Sequence, residues 1–234
     1  LSLPCDKLFK ELIIKSKFTK TLNEMILILH KLNYEIHFVY HKNIDKIYEN
    51  YVKVEEGDVV VDLGASIGPF PYSIKHIPIK HIYCFEPSPE QLPTLINNVE
   101  GMPCTVIPKG ISDKEGGDVF ELYGSTHKEE EALSTSFKSF VKEYNIDKID
   151  FLKTDCEGGE YNVFNIENIW WVKQNIKKVV GEFHLGPPEL NQKFRQFRDV
   201  YLRMFKKYEV YSVDGIDIKW DLWNEHFLEY YKTI

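Results

Sequence analysis

The sequence predicts an α/β fold, a mostly parallel sheet with helices on both faces. Two observations predict it. Short apolar segments rich in β-branched residues recur along the middle of the chain, and amphipathic segments separate the first three of them. The first apolar segment also ends in an acid and a turn of small residues, "VVVDLGASIGPF" (59–70). Such a turn is typical of the first strand-to-helix connection of a ligand-binding parallel sheet.

The composition narrows the classes of partner. A chain of 234 residues with 43% hydrophobic and 28% charged residues is typical of one soluble globular domain. The net charge of −7 opposes binding to nucleic acid or to an anionic membrane, so we expect a small-molecule partner. The four cysteines have no metal-like spacing and are expected to be free thiols in the cytoplasm. The oligomeric state stays open.

The elements follow in order along the chain. Residues 1–50 carry Lys, Leu and Ile at helical spacing and are expected to form a helical extension to a single domain at 51–234. Five strands are predicted, at 59–63, 82–85, 105–107, 149–154 and 179–183. Two helices are predicted between the first three strands, at 72–75 and at 89–99, the second with Ser88 as its N-cap and Pro89 at its first position.

The rest of the chain is predicted as one acidic loop and a C-terminal unit. The acidic stretch "STHKEEEALST" (125–135) has no apolar period and is predicted to be a surface loop. A long helix is expected over 186–207. Two aromatic-rich strands, 208–215 and 225–234, are expected to form an antiparallel hairpin at the sheet edge.

The turn after the first strand is the first candidate binding site. Ligands of open parallel sheets lie outside the carboxyl ends of the strands, and small residues let the backbone approach them closely. The dinucleotide fingerprint G-x-G-x-x-G is absent, and Asp62 instead precedes Gly64 by two residues. An acid there suits an ammonium group better than a pyrophosphate. The alternative is a tight turn with no ligand.

The second predicted strand also ends in an acid, Glu86 of "IYCFEPSPE". Its separation from the first turn is close to the spacing of about 20 residues at which an acid meets ribose hydroxyls in nucleotide-binding units. A lone solvated Glu is the alternative. Taken together, the two acids indicate a ligand with a ribose and an amino-acid-like cation but no phosphate. S-adenosylmethionine fits that description.

Four segments in a fixed order carry a more specific resemblance: "VVVDLGASIGPFPYSIK", "IYCFEPSPEQLPTLINNV", "GISDKEGG" and "IDFLKTDCEGGEYNVF". They resemble the FkbM family of S-adenosylmethionine-dependent methyltransferases over residues 59–185. The most specific of them, "DFLKTDCEGGE", is close to the family pattern D-x-x-K-x-D-x-E-G-x-E. The resemblance implies a class I methyltransferase, which has a Rossmann-like sheet.

The resemblance also implies roles for individual residues. Five residues of the first turn are expected to surround the methionine part of the cofactor: Asp62, Gly64, Ala65, Ser66 and Gly68. Glu86 is expected to hold the ribose and Pro87 to flank the adenine. Ser112 and Asp113 are expected at the adenine edge.

The candidate catalytic residues follow the fourth and fifth strands. If the fourth strand continues through "LKTDCEGGEY", Lys153, Asp155 and Glu157 point to one side of it, at the carboxyl edge of the sheet. The structural alternative is a buried lysine ion pair and a glycine turn into a helix. The next strand ends in "GEFHL", which places Glu182 and His184 on one face.

Methyl transfer to a hydroxyl needs alignment of the reacting atoms and removal of the hydroxyl proton. The base is expected to be His184, with Asp155 orienting its ring or contacting the cofactor's ammonium. A divalent cation held by Asp155 and Glu157, with or without Glu182, is the competing mechanism. Lys153 decides the preference for a metal-free site, because its ammonium is expected to offset the charge of Asp155 and Glu157.

The expected acceptor is a hydroxyl of a sugar or of a glycosylated small molecule. Aromatic side chains stack on sugar rings, and the C-terminal region is rich in them, although strand packing explains them equally well. The aromatic residues in question are Tyr208, Tyr211, Trp220, Trp223, Phe227, Tyr230 and Tyr231. Two rival functions remain: a nicotinamide-dependent oxidoreductase, and a catalytically silent module that binds S-adenosylmethionine.

Overall fold

The computed structural model describes residues 53–122, 128–184 and 188–205, together with residue 223. The helical extension predicted for 1–50 and the hairpin predicted at the C-terminus lie outside these residues.

The described elements are numbered in chain order. The strands are β1 (Val59–Leu63), β2 (His81–Phe85), β3 (Cys104–Ile107), β4 (Gly110–Ile111), β5 (Asp118–Leu122), β6 (Lys128–Ala132), β7 (Ser134–Thr135), β8 (Ile149–Thr154) and β9 (Ile176–Gly181). The α-helices are α1 (Pro69–Ser73), α2 (Leu92–Asn98), α3 (Phe137–Glu143), α4 (Glu160–Val163), α5 (Ile169–Asn175) and α6 (Pro188–Gln196).

Five parallel strands form the central sheet in the order β3-β2-β1-β8-β9. The chain builds outward from β1 to β3 on one side and then returns to build β8 and β9 on the other. The strand order therefore reverses between β1 and β8, where Leu63 is paired with Thr154. This is a Rossmann-like α/β sheet of the class I methyltransferase type, as the sequence predicted, and its binding crevice lies at that reversal.

The two faces of the sheet bury separate apolar clusters, because successive strand residues point to opposite sides. Val60 packs on one face with Phe70 of α1 and Leu95 of α2. Val61 packs on the other face, with Phe140 of α3 among others. Burial on both faces explains why β1 is a nearly continuous apolar run rather than an alternating one.

The predicted strand boundaries hold at β1 and β8, and β9 requires a correction. It begins at Ile176 rather than 179 and ends at Gly181 rather than 183. Its start is set by the pairing of Ile176 with Ile149, the first residue of β8. It ends opposite Thr154, because β8 ends there.

The predicted helix starts also differ from the structure. The first helix begins at Pro69 rather than at 72. The second begins at Leu92, and its N-cap is Gln91 rather than Ser88. Ser88 instead forms a turn that precedes the helix, with its carbonyl oxygen accepting from Gln91 N at 3.1 Å. The Ser88 N-cap prediction was therefore wrong.

The loop predicted over 125–135 was wrong for the part that is described. Strand β6 pairs antiparallel with β5, and β7 pairs parallel with β4. Helix α3 follows, with Ser136 as N-cap accepting from Ser139 N at 3.1 Å. Strand β6 could not be predicted from alternating apolar residues, because its sequence, KEEEA, has none until its last position. Residues 123–127 lie outside the described part.

The long helix predicted over 186–207 is confirmed where the chain is described, with one change of winding. Helix α6 continues as a π-helical turn over Phe197–Tyr201 and a 3₁₀ turn over Leu202–Met204. Within the described residues, no helix combines the length and the apolar character needed to cross a membrane.

Candidate functional site

The turn after β1 crosses the turn after β8 at close range. Gly64 has a φ of +79°, and a Cβ built on it would overlap the carbonyl oxygen of Asp155. Gly68 has a φ of +87°, and a Cβ there would lie 2.9 Å from Leu95 Cδ1. Both positions therefore require glycine for backbone geometry and for internal packing.

Backbone N–H groups of the first turn donate to the neighbouring strand β2 and its end. Gly64 N and Ala65 N both donate to the carbonyl oxygen of Phe85, at 3.1 and 2.8 Å. Ser66 N donates to Glu86 Oε2 at 2.8 Å. Ser66 has a φ of +53°, an uncommon conformation for a non-glycine residue. The turn is thus fixed on the carboxyl end of β2.

Glu86 connects the first turn to the chain after β2. Its carboxylate is 6% exposed, and its other oxygen, Oε1, accepts from Ser88 N at 2.7 Å. Burial raises the pKa of Glu86 to about 7, against the opposing effect of these two backbone hydrogen bonds. Pro87 is half-buried and lies in the chain between Glu86 and Ser88, the residue that donates to Glu86 Oε1. Glu86 and Pro87 therefore lie at the edge where the sequence placed them.

Asp62 and Lys153 form a buried ion pair on neighbouring strands. They are paired in register, are 0% and 4% exposed, and lie 3.1 Å apart from Oδ1 to Nζ. The Lys153 ammonium also donates to Gly64 O at 2.8 Å. Burial raises the pKa of Asp62, and the charge of Lys153 opposes that effect. Lys153 therefore ties β8 to the first turn, and its ammonium lies closer to Asp62 than to Asp155 Oδ2, at 3.9 Å.

The strand does not continue as far as the sequence allowed. Because β8 ends at Thr154, Asp155 and Glu157 lie in a turn, and Glu157 has a φ of +52°. Gly158 follows with a φ of +97°. Strand alternation therefore does not place Lys153, Asp155 and Glu157 on one face. It is the turn after β8 that brings the Asp155 and Glu157 carboxylates close to His184.

The turn carboxylates meet His184, which follows β9. His184 Nε2 lies 3.2 Å from Glu157 Oε2 and 3.9 Å from Asp155 Oδ1. The other ring nitrogen, Nδ1, lies 2.8 Å from Glu160 Oε1. Three carboxylates from one turn and the start of α4 thus surround a single imidazole.

The charge state of His184 follows from these contacts. Burial alone lowers the pKa of this imidazole, but the hydrogen bonds to Glu157 and Glu160 raise it to about 11. The surrounding carboxylates therefore favour the charged form of the ring. The charged form cannot accept the proton of a hydroxyl, so the base role expected of His184 needs the neutral ring and stays a prediction.

Glu182 lies beside this cluster. Its backbone N donates to Thr154 O at 2.9 Å, and its side chain is exposed. Partial desolvation and the charges of Asp155 and Glu157 raise the pKa of Glu182, and solvent around the exposed side chain screens these charges.

Ser112 and Asp113 follow β4, whose last residue, Ile111, accepts from Asn162 Nδ2 of α4 at 3.3 Å. Ser112 is buried, its N donates to Thr135 O at 3.1 Å, and its hydroxyl contacts Asp118. Asp113 is exposed. The structure therefore gives Ser112 a partner within the protein, and the expected adenine contact stays a prediction.

Glu160 is a site residue to which sequence reasoning gave no contact. It is fully buried, and its Oε1 accepts from Cys156 N at 3.0 Å as well as meeting His184. The sequence did contain a signal for it, because Glu160 is the last acid of the pattern D-x-x-K-x-D-x-E-G-x-E. Its partner lies 24 residues away in the chain, which spacing alone does not reveal.

A comparison with protein families decides the relationship. The model of the methyltransferase FkbM domain matches residues 62–210, more than half of the chain. The chain belongs to the FkbM methyltransferase family. The resemblance read from the sequence is thereby confirmed, and the matched region contains both turns, Glu86 and the His184 cluster.

One curated relative matches this FkbM domain over part of its length. The chain is 29% identical over 145 residues to the hexuronic acid methyltransferase AglP of Haloferax volcanii, a match covering 57% of this chain. It spans 59% of the length of that relative.

Solved structures overlap with the same region. Fibrillarin from Aeropyrum pernix, in complex with natively bound S-adenosyl-L-methionine, has a TM-score of 0.47 and 12% identity, covering 75% of this chain and 71% of that one. Precorrin 8W decarboxylase from Methanobacterium thermoautotrophicum has a TM-score of 0.44 and 14% identity, covering 68% and 70%. At these values the overlap says nothing of ligand or substrate.

Proposed function

We propose that this FkbM protein is an S-adenosylmethionine-dependent O-methyltransferase that acts on a hydroxyl of a sugar or of a glycosylated small molecule. The observation that carries the proposal is the connection between the first turn and Glu86. It joins the carboxyl ends of β1 and β2 on one side of β1, and the reversal of strand order, where open parallel sheets bind their ligands, lies on the other side, between β1 and β8.

Glu86 fits a ribose. A carboxylate has about four lone-pair positions, and two backbone N–H groups occupy one on each oxygen of Glu86. Hydroxyl donors of a diol therefore still find acceptor positions on this buried group. Because those donors favour the ionised carboxylate, binding offsets the burial that raises its pKa.

The first turn does not fit a pyrophosphate. Pyrophosphate sites present several free backbone N–H groups at the start of a helix. Here the N–H groups of Gly64, Ala65 and Ser66 donate within the protein, and Pro69, which begins α1, has none. This favours S-adenosylmethionine, which has no phosphate, over the nicotinamide cofactor of an oxidoreductase.

When bound, S-adenosylmethionine supplies an activated methyl group on a sulfonium. The chain's own contribution is to orient the acceptor. Asp155 and Glu157 are 28% and 23% exposed, so their carboxylates are open to an acceptor hydroxyl as hydrogen-bond acceptors. The His184 ring holds Glu157 in place through the 3.2 Å contact.

The acceptor class is supported by the relative, which is named a hexuronic acid methyltransferase. A catalytically silent binding module is the second candidate. It differs from the enzyme in one outcome: it binds the cofactor and transfers no methyl group.

Calorimetric titration of the chain with S-adenosylmethionine and with NAD⁺ tests the cofactor. We expect saturable binding of the first alone, weakened about tenfold or more in Glu86→Gln because a hydrogen bond between the ligand and a charged group is lost. A matched control is Glu90→Gln, an exposed acid close to the same strand end. Binding of NAD⁺ alone would support an oxidoreductase.

Mass spectrometry of reactions with hexuronic acids and glycosylated acceptors tests the transfer. We expect S-adenosylhomocysteine and a singly methylated acceptor to form together. Cofactor binding with no turnover on the whole panel supports the silent module instead.

A further inference from the structure

The cluster of Asp155, Glu157 and His184 has a property beyond hydrogen bonding. Each residue offers one donor atom, and the three atoms lie within 4.8 Å of one another. All three side chains are between 20% and 28% exposed, so the cluster is reachable from solvent. We propose that it is a binding site for a divalent transition-metal ion.

Two of the three donor spacings lie within the range found around a single ion. Donors bound at about 2.1 Å lie about 3.0 Å apart when adjacent in an octahedron and about 4.2 Å apart when opposite. In a tetrahedron the spacing is about 3.4 Å. His184 Nε2 lies 3.2 Å from Glu157 Oε2 and 3.9 Å from Asp155 Oδ1, within that range.

Glu160 supplies an independent second observation. A metal-bound histidine nearly always donates its other ring N–H to a carboxylate, a backbone carbonyl or a water molecule, which fixes the ring and its tautomer. Glu160 Oε1 has this relation to His184 Nδ1 at 2.8 Å, and it is itself fixed by Cys156 N. Nε2 is thereby directed at Asp155 and Glu157.

Glu160 is also fully buried, and within the described residues its second oxygen, Oε2, has no hydrogen-bond partner. A buried carboxylate oxygen without a donor is costly. The carboxylates around His184 therefore contain more acceptor capacity than the protein's own donors satisfy.

Lys153 does not replace such a cation. Its ammonium is 3.1 Å from Asp62 and 2.8 Å from Gly64 O, whereas Asp155 is its more distant carboxylate at 3.9 Å. The sequence-based preference for a metal-free site depended on Lys153 offsetting both turn carboxylates. The structure gives that ammonium a closer partner, Asp62.

The donor set selects the class of ion. Imidazole nitrogen suits zinc, iron, copper and nickel, whereas carboxylates suit magnesium, calcium and manganese. One nitrogen with two carboxylates favours Mn²⁺ or Zn²⁺ over Mg²⁺ or Ca²⁺. The ion and the Nε2 proton compete for the same position between the ring and the two carboxylates. A role for the ion in polarising the acceptor hydroxyl follows only if the proposed function holds.

Direct metal binding tests the site without any turnover. The full chain is freed of metal with EDTA, the chelator is removed, and Mn²⁺ is added while its free EPR signal is measured; Zn²⁺ is titrated by calorimetry. We expect saturable binding of one ion per chain. Asp155→Asn and Glu157→Gln should each weaken it about tenfold or more, and Glu160→Gln about 10- to 100-fold through loss of ring positioning.

The controls separate this site from surface binding and from misfolding. Glu167→Gln removes an exposed acid outside the cluster and should leave the affinity unchanged. Circular dichroism melts identify any variant that fails to fold. If the Glu160 variant fails to fold, the variants of the half-buried Asp155 and Glu157 still test the site.

Two results would overturn the proposal: no saturable binding of either ion, or binding that Asp155→Asn and Glu157→Gln leave unchanged. Titration of the same metal-free protein with S-adenosylmethionine separates the two proposals. Cofactor binding without metal binding contradicts the metal site alone, and metal binding without cofactor binding contradicts the proposed function alone.

Discussion

Lys153, near the end of β8, contacts both Asp62 of β1 and the turn that follows β1. It therefore helps to fix that turn against the end of β8. Its ammonium neutralises Asp62 within the sheet and donates to the carbonyl oxygen of Gly64 in the first turn. A buried pair of this kind adds little stability relative to apolar residues, but removal of one partner leaves a charge without compensation. The pair is therefore a vulnerable point of the site.

Replacement of that lysine should be strongly destabilising. We expect Lys153→Met to lower the free energy of unfolding by about 3–5 kcal/mol, because Asp62 is left buried and unpaired. Lys148→Met is the matched control, since Lys148 pairs with Asp150 at 2.9 Å but is itself 64% exposed. Its loss should be at most about 1 kcal/mol. Urea unfolding measures both, and equal losses would argue against a dependence on the buried pair.

Glu86 should make cofactor affinity depend on pH. Burial raises the pKa of Glu86 to about 7, so the free protein holds a proton there below that pH and loses it above. Ribose hydroxyls donate to the ionised form, so the Kd for S-adenosylhomocysteine should fall as the pH rises through about 7.

The Glu86→Gln variant separates this effect from titration of the ligand itself. It should bind more weakly, and the difference in binding free energy between it and the wild type should grow as the pH rises from 6 to 8 (about one unit to either side of that pKa). A difference that stays constant across this range would contradict the assignment of Glu86 to the ribose.

At the scale of elements, the approach of the turn after β1 to the turn after β8 depends on Gly64. Gly57 has the same φ of +79°, but a Cβ there meets nothing within 4 Å. The two glycines therefore distinguish backbone strain from close packing.

Alanine at the two positions should have unequal effects. Gly57→Ala should cost about 1–2 kcal/mol, the strain of a left-handed conformation. Gly64→Ala adds an overlap with the carbonyl oxygen of Asp155, so we expect a larger loss of stability, or a displaced second turn with weakened cofactor binding. Thermal unfolding and calorimetry measure these two outcomes. Equal destabilisation with unchanged affinity would mean that the turns do not depend on this contact.

Elements buried on both faces were the ones that the sequence predicted best. Strands β1 and β8 are both fully buried, and their apolar residues, three valines in β1 and Ile, Phe and Leu in β8, mark them in the sequence. Strand β6 has no such run, and its pairing with β5 depends on backbone hydrogen bonds that no apolar period records. Helix α2 began later than predicted, because a turn from Ser88 to Gln91 precedes it.

The candidate site was predictable to a similar extent. Acids that follow strand ends in a parallel sheet share one edge, so Glu86 and Asp155 could be placed from the sequence. The contact of Glu160 with His184 joins the start of α4 to the chain after β9, and it raises the pKa of the imidazole together with the contact to Glu157. Sequence reasoning therefore named the histidine but not the carboxylates that favour its charged form.

At the scale of the whole molecule, the reversal of strand order brings separate parts of the site together. Glu86 follows β2 on one side of β1, and the turn after β8 with His184 lies on the other side. A ligand that lies across the end of β1 reaches both. We expect the nucleoside on the Glu86 side and the reacting end of the cofactor on the side of Asp155 and His184.

A crystal structure of the full chain with S-adenosylhomocysteine tests this assignment most directly. We predict that the ribose hydroxyls donate to Glu86 at about 2.7 Å. The sulfur should lie at the end of β1 and face the turn that contains Asp155. An adenosine bound away from Glu86, or a sulfur directed away from the Asp155 turn, would contradict the account.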